Sequence, residues 1–316
     1  MSRRLTTALS ATVLASALVL SACGEEAATT PSPTASGVTV TGSDPAKAPT
    51  VSVKAPLTVT KTGSQVVTDG TGAPVAKDDL VSIQAVIVNG RDGKVVNSTW
   101  ETGAVGLDLS AEALFKSFKS ELPGKKVGSR FVITSTAADA FGDTGNEGLG
   151  IQKDDPIVFV VDVVSATKPL AEAQGKAVAP KKGLPTVTMN EGKPATITVP
   201  KGAKAPTKTI VQPLIEGTGP EVKKGQTVRV AYTGALLKDG SVFDSSANNP
   251  DQPYFAFPIG QGQVIKGWDN GLEGVNVGSR VLLVIPPAEG YGTAGSPPKI
   301  AGNDTLVFVV DVLAAY

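Results

Sequence analysis

Few side chains of this 316-residue chain could perform covalent, metal or acid-base chemistry. The chain has no histidine and a single cysteine, Cys23. Without histidine there is no Ser-His-Asp triad, no Cys-His pair and no His-ligated zinc or haem site. One cysteine cannot close an internal disulfide or build a thiolate metal cage. These counts exclude those mechanisms, and we expect no metal and no cofactor.

The charge balance excludes a second class of function. The 29 basic and 29 acidic residues give a formal net charge of zero, and charged residues make up 18% of the chain. Binding of nucleic acid through a broad cationic face is therefore not expected. Aromatic residues make up only 5%, so each cluster of them is informative.

The aromatic and polar residues of the C-terminal third are the candidates for a site. Val264, Trp268 and Leu272 recur every four residues, which places them on one face of a short helix. On spacing alone, such a stripe is more often core packing than a site. Asp244 precedes two serines and fits either a turn cap or a site residue. Tyr291 lies between two glycines, which suits either a surface loop or close approach to a ligand.

These candidates lie in the second half of an internal duplication. Three short strings recur in the same order at offsets of 147 to 150 residues. They are GTG at 70–72 and 217–219, VGSR at 127–130 and 277–280, and VFVVDV at 158–163 and 307–312. Ordered matches at a nearly constant offset indicate two copies of one domain. Each copy is too long to be a solenoid unit and must bury its own core.

Composition divides the chain into five predicted segments. They are a signal segment at 1–22, a flexible stalk at 23–56, a first copy at 57–166, a linker at 167–183 and a second copy at 184–316. The stalk and the linker are rich in Ala, Thr, Pro, Lys and Gly without a sustained apolar period, as is typical of flexible segments. A short surface helix around Leu170 to Gln174 is the alternative for the linker.

Each copy is predicted to be an α+β domain in which an antiparallel β-sheet wraps around a short α-helix. The second copy alternates apolar and polar residues in six strand-like stretches. They are 195–199, 209–215, 227–237, 255–259, 280–285 and 305–313. Asp239-Gly240 is a hairpin signal. In the first copy Leu114, Phe118 and Leu122 take the helical positions.

The second copy resembles the FKBP-type peptidyl-prolyl cis-trans isomerases. The matching strings are VRVAYTGALLKDGSVFDSS, FAFPIGQGQVIKGWDNGLEGVNVGSRVLLVIPP, EGYG and NDTLVFVVDVL, in the family's order over most of 209–316. The resemblance implies a proline-binding pocket. Its catalytic residues would be Tyr232, Phe243, Asp244, Trp268, Tyr291 and Phe308, and its other substrate-binding residues Phe255, Val264, Ile265 and Ile300.

The resemblance also implies a role for several of these groups. The indole of Trp268 would form the floor of the pocket, and Asp244 would orient polar groups. The main-chain N–H of Ile265 and the hydroxyl of Tyr291 would bind ligand carbonyls. Sensitivity to macrolide inhibitors is a further implication, with Gln263 at a rim position where relatives differ.

The physics of prolyl isomerisation suits a site without ionising groups. Rotation about an Xaa-Pro bond breaks no covalent bond but faces a barrier of about 18–20 kcal/mol, because amide resonance is lost in the twisted geometry. The planar amide is more polar than the twisted one. A dry aromatic pocket therefore favours the transition state over the ground state. A few hydrogen-bond donors can hold the carbonyl while the bond turns.

The first copy has the sequence pattern of the same fold but lacks the polar groups of the site. Most pocket positions of the second copy have a less polar or smaller counterpart, and one phenylalanine is kept. Ala85 stands against Tyr232, Val96-Asn97 against Phe243-Asp244, Leu107 against Phe255, Phe118 against Trp268, Phe141 against Tyr291 and Phe159 against Phe308. We predict that the first copy is a poor isomerase or inactive. The alternative is a usable pocket with altered preference.

The N-terminus predicts export. Arg3 and Arg4 precede a short apolar run that ends in Leu-Ser-Ala-Cys, a pattern typical of a secretory signal. The last four residues resemble the lipobox of bacterial lipoproteins, which implies lipidation of Cys23. Two acyl chains would suffice for stable attachment on the extracytoplasmic face of a cell membrane. A simple signal peptide with an incidental thiol and an uncleaved anchor are the alternatives.

Two functions follow as hypotheses. The first is a lipid-anchored peptidyl-prolyl isomerase that acts on Xaa-Pro bonds of unfolded or extracytoplasmic polypeptides, with catalysis in the second copy. The second is a non-catalytic lipoprotein, in which both copies hold proline-containing segments as a chaperone or scaffold.

Overall fold

A computed structural model describes residues 37–316 of the chain. The signal segment 1–22, Cys23 and residues 24–36 lie outside the described residues, so the predictions made for them stay predictions. Within 37–316 no helix is long and apolar enough to cross a membrane. The same residues contain no group of three or more Cys, Asp or Glu side chains arranged to hold a metal ion.

The first copy forms one antiparallel sheet with an added hairpin and a single α-helix. Its elements are β1 (Val38–Thr41), β2 (Thr50–Val53), β3 (Gly63–Thr68), β4 (Leu80–Asn89), β5 (Val95–Ser98), β6 (Val105–Asp108), α1 (Lys116–Glu121), β7 (Arg130–Ser135) and β8 (Ile157–Thr167). The sheet has the order β3-β7-β8-β4-β5, and β6 also pairs with β4. The hairpin is the pair β1-β2.

The second copy repeats this architecture. Its elements are β9 (Gly175–Ala177), β10 (Thr186–Asn190), β11 (Lys193–Thr198), β12 (Ile210–Gly217), β13 (Thr227–Leu236), β14 (Val242–Ser245), β15 (Phe255–Pro258), α2 (Lys266–Leu272), β16 (Arg280–Ile285) and β17 (Leu306–Ala315). The sheet order is β14-β13-β17-β16-β12-β9, with β15 paired to β13 and the hairpin β10-β11 separate. The predicted α+β class is confirmed, and the six predicted strands differ from the observed ones by at most two residues at either end.

The main core of the second copy lies between the sheet and α2. Trp268 and Leu272 are buried on the helix face that meets the sheet. Burying each side chain contributes about 1.5–3 kcal/mol. A Cβ at Gly267 would lie 2.5 Å from the side chain of Ile285, so glycine is needed for the helix to approach β16 this closely. Phe118 of α1 and Leu122, which directly follows this helix, occupy the same place in the first copy. The predicted helical positions of Leu114 and Val264 are wrong, because α1 begins at Lys116 and α2 at Lys266.

The predicted flexible stalk is wrong for residues 37–56. Val38 and Val40 of β1 are 3% and 2% exposed and pack with Val86, Val88 and other valines on the outer face of the first sheet. The physical reason is that this sheet is apolar on both faces, so the outer face also needs cover. The hairpin β10-β11 covers the outer face of the second sheet in the same way. The repeat is therefore longer than its sequence matches indicate.

The predicted linker 167–183 is also ordered in part. β9 pairs with β12 and extends the second sheet by one strand. The N–H of Leu170 donates to the carbonyl of Leu313 at 3.0 Å, and the N–H of Ala173 donates to the carboxylate of Asp311 at 3.2 Å. No helix forms at 170–174, because these groups bond to the sheet instead.

The two copies are in direct contact, and both belong to one compact unit. Asp108, at the end of β6, accepts hydrogen bonds from Arg229 at 3.3 Å and from the hydroxyl of Tyr254 at 3.0 Å. The guanidinium of Arg229 lies 3.2 Å from the centre of the Tyr254 ring. Tyr316 packs in a buried cluster with Leu80 of the first copy. Asp108 of the first copy thus binds the guanidinium of Arg229 and the hydroxyl of Tyr254 in the second copy.

Candidate active site

A pocket of about 420 Å³ opens beside α2 in the second copy. Nine of the ten residues predicted for the site line it, together with the predicted rim residue Gln263. The nine are Tyr232, Phe243, Asp244, Phe255, Val264, Ile265, Trp268, Tyr291 and Phe308. Ile300 is not among the lining residues. It is 5% exposed and packs in the core cluster that includes Phe243, Trp268 and Phe308.

Trp268 forms the floor because α2 presses its indole against the sheet. The indole is 4% exposed, and its ring centre lies 5.3 Å from that of Tyr232 and 5.2 Å from that of Phe308, both edge to face. Phe257 supports it from below at 5.4 Å. Edge-to-face pairs of this kind are favourable contacts between aromatic rings, so the floor is rigid and apolar.

Gly234 of β13 makes room for the inner wall. A Cβ at this position would lie 2.6 Å from Phe308 and 2.7 Å from Phe243. These two rings pack edge to face at 5.5 Å directly over the glycine. Any larger residue at 234 would push the rings into the pocket. The shape of the pocket therefore depends on a glycine, which has no side chain, at this position.

One polar pair lies in this apolar wall. The hydroxyl of Tyr232 donates to Oδ2 of Asp244 at 2.6 Å, while Oδ1 accepts from the N–H of Ser245 at 2.9 Å. Burial and this bond to the carboxylate raise the pKa of Tyr232 above its ordinary value. The hydroxyl therefore stays protonated at neutral pH and keeps Asp244 oriented at the rim.

Two donors at the mouth have no partner among the described residues. The N–H of Ile265, in the residue that precedes α2, meets no acceptor there. The hydroxyl of Tyr291, on a residue that is 41% exposed, also makes no hydrogen bond there. Asp269 orders the approach to the helix by accepting from the N–H groups of Gly260 and Gly262 at 2.7 and 2.9 Å. Free donors above an aromatic floor can bind carbonyl groups of an extended peptide.

The sequence reading missed two contributors. Phe257 is buried beneath Trp268, and Gly234 admits the rings of Phe243 and Phe308. The alternation in Phe-Ala-Phe could have identified Phe257 as the inward partner of Phe255. Nothing near Gly234 in the sequence indicates a close approach, because the two rings that need the space come from residues 9 and 74 positions later.

The first copy fills the equivalent hollow with its own side chains. Phe115 takes the position of Ile265, and its ring packs 4.9 Å from Phe141, 5.6 Å from Phe118 and 5.9 Å from Phe159. The counterpart of Gly234 is Ile87, whose side chain packs against the same cluster. Four rings and one branched side chain therefore meet where the second copy leaves space.

One predicted correspondence between the copies is wrong. Leu107 pairs with Val81 on β4, just as Phe257 pairs with Val228 on β13. Leu107 is therefore the counterpart of Phe257, and Val105 is the counterpart of Phe255. The three residues that the second copy gains ahead of β15 raise the offset to 150, and this offset also matches Leu107 with Phe257.

The comparison with protein families settles which fold this is. The model of the FKBP-type peptidyl-prolyl cis-trans isomerases matches residues 72–164 and 219–313, which is one region in each copy. The chain belongs to this family. The predicted resemblance is confirmed, including the presence of two FKBP-like domains.

Several named relatives align with about a third of this chain. Peptidyl-prolyl cis-trans isomerase FKBP15-2 of Arabidopsis thaliana is 50% identical over 94 residues, or 30% of this chain and 56% of that protein. Peptidyl-prolyl cis-trans isomerase FKBP2 of Mus musculus is 52% identical over 91 residues, or 29% of this chain and 63% of that protein. The aligned part thus spans less than two thirds of these two relatives.

A bacterial relative aligns over most of its length. The FK506-binding protein of Streptomyces anulatus is 41% identical over 114 residues, or 36% of this chain and 90% of that protein. Among solved structures, AtFKBP13 is 34% identical and covers 35% of this chain and 96% of its own, with a TM-score of 0.32.

Proposed function

We propose that the chain is a peptidyl-prolyl cis-trans isomerase, that the second copy is its catalytic domain, and that it acts outside the cytoplasm. The pocket above Trp268 carries this proposal. It offers an apolar floor for a proline ring and two unpaired donors, the N–H of Ile265 and the hydroxyl of Tyr291, for peptide carbonyls.

The mechanism follows from this geometry. The proline ring of the substrate lies on the indole of Trp268, between the rings of Phe243 and Phe255. The apolar wall disfavours the polar planar amide relative to the twisted transition state, and only such a difference accelerates the reaction. The N–H of Ile265 holds a flanking carbonyl while the prolyl amide turns. No group is ionised or consumed in this step.

The first copy serves as a structural domain in this proposal. Phe115 and Ile87 occupy the space that a proline ring would need, and Ala85 and Val96 replace the Tyr232 hydroxyl and the Phe243 ring. A fold can be kept without its chemistry when its role is to support a neighbour. The contacts of Asp108 with Arg229 and Tyr254 fit such a role.

The isomerase proposal is tested on the full chain with a short Xaa-Pro reporter peptide. We expect wild-type catalysis and a fall in kcat/KM of at least about tenfold for Phe243→Ala, since about 1.4 kcal/mol of transition-state contact suffices for that change. The matched control is Val96→Ala, the same position in the first copy, which should keep the wild-type rate.

The possible outcomes separate the hypotheses. Binding of the peptide without any rate acceleration by wild type would favour the non-catalytic chaperone or scaffold. A strong effect of Val96→Ala would assign turnover to the first copy and contradict the assignment to the second.

Export and anchoring are proposed from the N-terminal sequence alone. Arg3, Arg4 and the Leu-Ser-Ala-Cys string support cleavage before Cys23 and attachment of acyl chains to it, on the extracytoplasmic face of a membrane. Mass spectrometry of the native N-terminus should find residue 23 first and lipid-modified. Cys23→Ser should release the protein from the membrane fraction, and an unchanged distribution of this variant would contradict the anchor.

The ligands that we propose are inferred by analogy with the relatives. Unfolded or extracytoplasmic polypeptides with Xaa-Pro bonds are the proposed clients. One relative is named an FK506-binding protein, and inhibition of this chain by macrolides of that type is proposed by analogy.

A further inference from the structure

Both copies contain the same ion pair, but different groups cover it in each copy. Arg130 of the first copy is bidentate to Asp162, with Nε and Nη2 at 2.6 and 2.7 Å from the two carboxylate oxygens. Arg280 of the second copy makes the same pair with Asp311 at the same distances. This repeated pair lies on the outer face of each sheet and gives a reference point for comparing what covers it.

In the first copy the chain itself covers the pair. The guanidinium of Arg130 also donates to the carbonyl oxygens of Gly42 and Asp44, in the eight-residue connection of the hairpin β1-β2. The ring of Trp100 lies 5.8 Å from the guanidinium, and its indole N–H is 3.5 Å from the carbonyl of Pro45. The irregular segment 42–45 and one indole thus close this face.

In the second copy both covering groups are missing. The hairpin β10-β11 turns through Glu191 and Gly192 alone, so its connection does not reach Arg280. The segment that contains Ala173 bonds to Asp311 at the other end of the pair. The counterpart of Trp100 is Ala247. This match follows because the preceding residues, Thr99 and Ser246, accept the N–H of Ala85 and of Tyr232 in the same way. A groove of about 540 Å³ lies where the first copy is filled.

The groove leaves polar and apolar surface without a partner. The side chain of Arg280 is 15% exposed against 4% for Arg130, and its Nη1 has no acceptor among residues 37–316. Met189, whose counterpart Val40 is 2% exposed, is 45% exposed at the groove. The unpaired Nη1 of Arg280 and the exposed thioether of Met189 match a ligand with carbonyl oxygens and one bulky apolar side chain.

We propose that this groove binds a second, extended segment of a client polypeptide, apart from the proline pocket. The first copy indicates the occupant, because its own segment 42–45 bonds to the equivalent arginine through main-chain carbonyls beside an indole. The size of the groove lies in the range typical of ligand sites. Tyr232 lines both the groove and the proline pocket, so the two sites are neighbours. Recognition through main-chain carbonyls would accept many sequences.

The charged groups around the groove are consistent with a nearly neutral segment. Glu172, Glu191 and Asp311 line the groove together with Lys193 and Arg280, so the three acidic and two basic groups leave a formal net charge of −1. The hydrogen bonds to Asp311, and then the negative charges of Asp311 and Glu172, raise the pKa of Arg280 above its ordinary value.

The test uses the full chain and a fluorescein-labelled, proline-free peptide of about ten residues, built from Gly, Ser and Asn with one central Trp. Fluorescence anisotropy measures its binding. Two variants refill the groove as the first copy does: Ala247→Trp, and replacement of Glu191-Gly192 by the residues found at 42–49. Val242→Trp is the control, because Val242 is exposed in the same copy but lines neither cavity.

We expect both refilled variants to weaken peptide binding at least about tenfold and the control to change it less than about twofold. Turnover of a short Xaa-Pro reporter should stay at the wild-type level in Ala247→Trp, which shows that the proline pocket is intact. Because the probe contains no proline, this result does not depend on the isomerase activity.

Two results would overturn the proposal. One is equal binding by wild type and both refilled variants. The other is binding that is seen only after deletion of residues 24–36, which would make the chain's own N-terminal segment the occupant instead of a client.

Discussion

At the scale of single residues, the hydrogen bond between Tyr232 and Asp244 is the main polar feature of the pocket wall. The hydroxyl is partly buried among rings, and its 2.6 Å bond to the carboxylate fixes the orientation of both groups. An apolar wall with one satisfied polar pair keeps its shape, whereas an unpaired hydroxyl there would cost stability. The pair therefore supports the pocket without taking part in proton transfer.

The raised pKa of Tyr232 predicts a specific effect of alkaline pH on stability. An unfolded tyrosine ionises near pH 10, while the folded Tyr232 retains its proton to higher pH. Its contribution is therefore fully present below about pH 10 and is lost as the pH rises above that value. Tyr232→Phe should lower the free energy of unfolding by about 0.5–1.5 kcal/mol at pH 8 through the lost hydrogen bond.

Denaturant unfolding of both proteins between pH 8 and pH 11 measures this effect. Above pH 10 the wild-type free energy of unfolding should fall more steeply than that of Tyr232→Phe. Tyr316, whose pKa is raised to about 12 chiefly by burial, is present in both proteins, so its contribution cancels in the difference. Parallel curves over this range would contradict the buried, protonated hydroxyl.

At the scale of elements, the pocket exists because β13 carries a glycine where two rings cross it. The equivalent strand β4 carries Ile87, and the first copy is filled by Phe115 at that end. The two copies share strand order and helix position, so their difference comes from a few side chains on equivalent strands. Element positions alone therefore do not decide which copy can bind proline.

Gly234→Ile should fill the pocket of the second copy, as Ile87 and its neighbours fill that of the first copy. The new side chain would meet Phe308 and Phe243 well inside contact distance. Overpacking of this kind costs about 1–3 kcal/mol, and the displaced rings should fill the pocket. We expect kcat/KM on an Xaa-Pro peptide to fall by about a hundredfold or more, while circular dichroism shows a folded protein.

Gly63→Ala is the matched control, because a Cβ at Gly63 meets nothing within 4 Å. It should keep wild-type turnover. Full activity of a folded Gly234→Ile protein would show that the space above this glycine is not needed for catalysis.

At the scale of the whole molecule, the interface between the copies connects the first copy to the wall of the pocket. Asp108 holds Tyr254, and Tyr254 directly precedes Phe255, which lines the pocket. The side chains of Asp108 and Arg229 are 11% and 15% exposed, so their ion pair is largely removed from water. Removing one partner would leave the other charge nearly buried, which is costly.

Asp108→Ala should therefore weaken the coupling between the copies. We expect a loss of about 2–3 kcal/mol and separate calorimetric unfolding transitions for the two copies in place of coupled ones. The control is Asp154→Ala, since the pair of Asp154 with Lys153 is exposed and exposed pairs contribute about 0–1 kcal/mol. An unchanged calorimetric profile for Asp108→Ala would show that the copies unfold independently of this contact.

The sequence by itself determined the duplication and the α+β class, and its resemblance to a known family implied nine of the residues that line the pocket. Repeated strings, strand alternation and the spacing of Trp268 and Leu272 are local signals, and local signals can be recognised without knowledge of the fold. The same spacing placed Val264 on the helix, but α2 begins only at Lys266. Only the tertiary structure decided that Phe115 fills the first pocket, that Gly234 opens the second and that residues 38–53 cover a sheet. It also placed Asp108 against Arg229. Each of these depends on groups far apart in the chain meeting in space, which residue spacing does not encode.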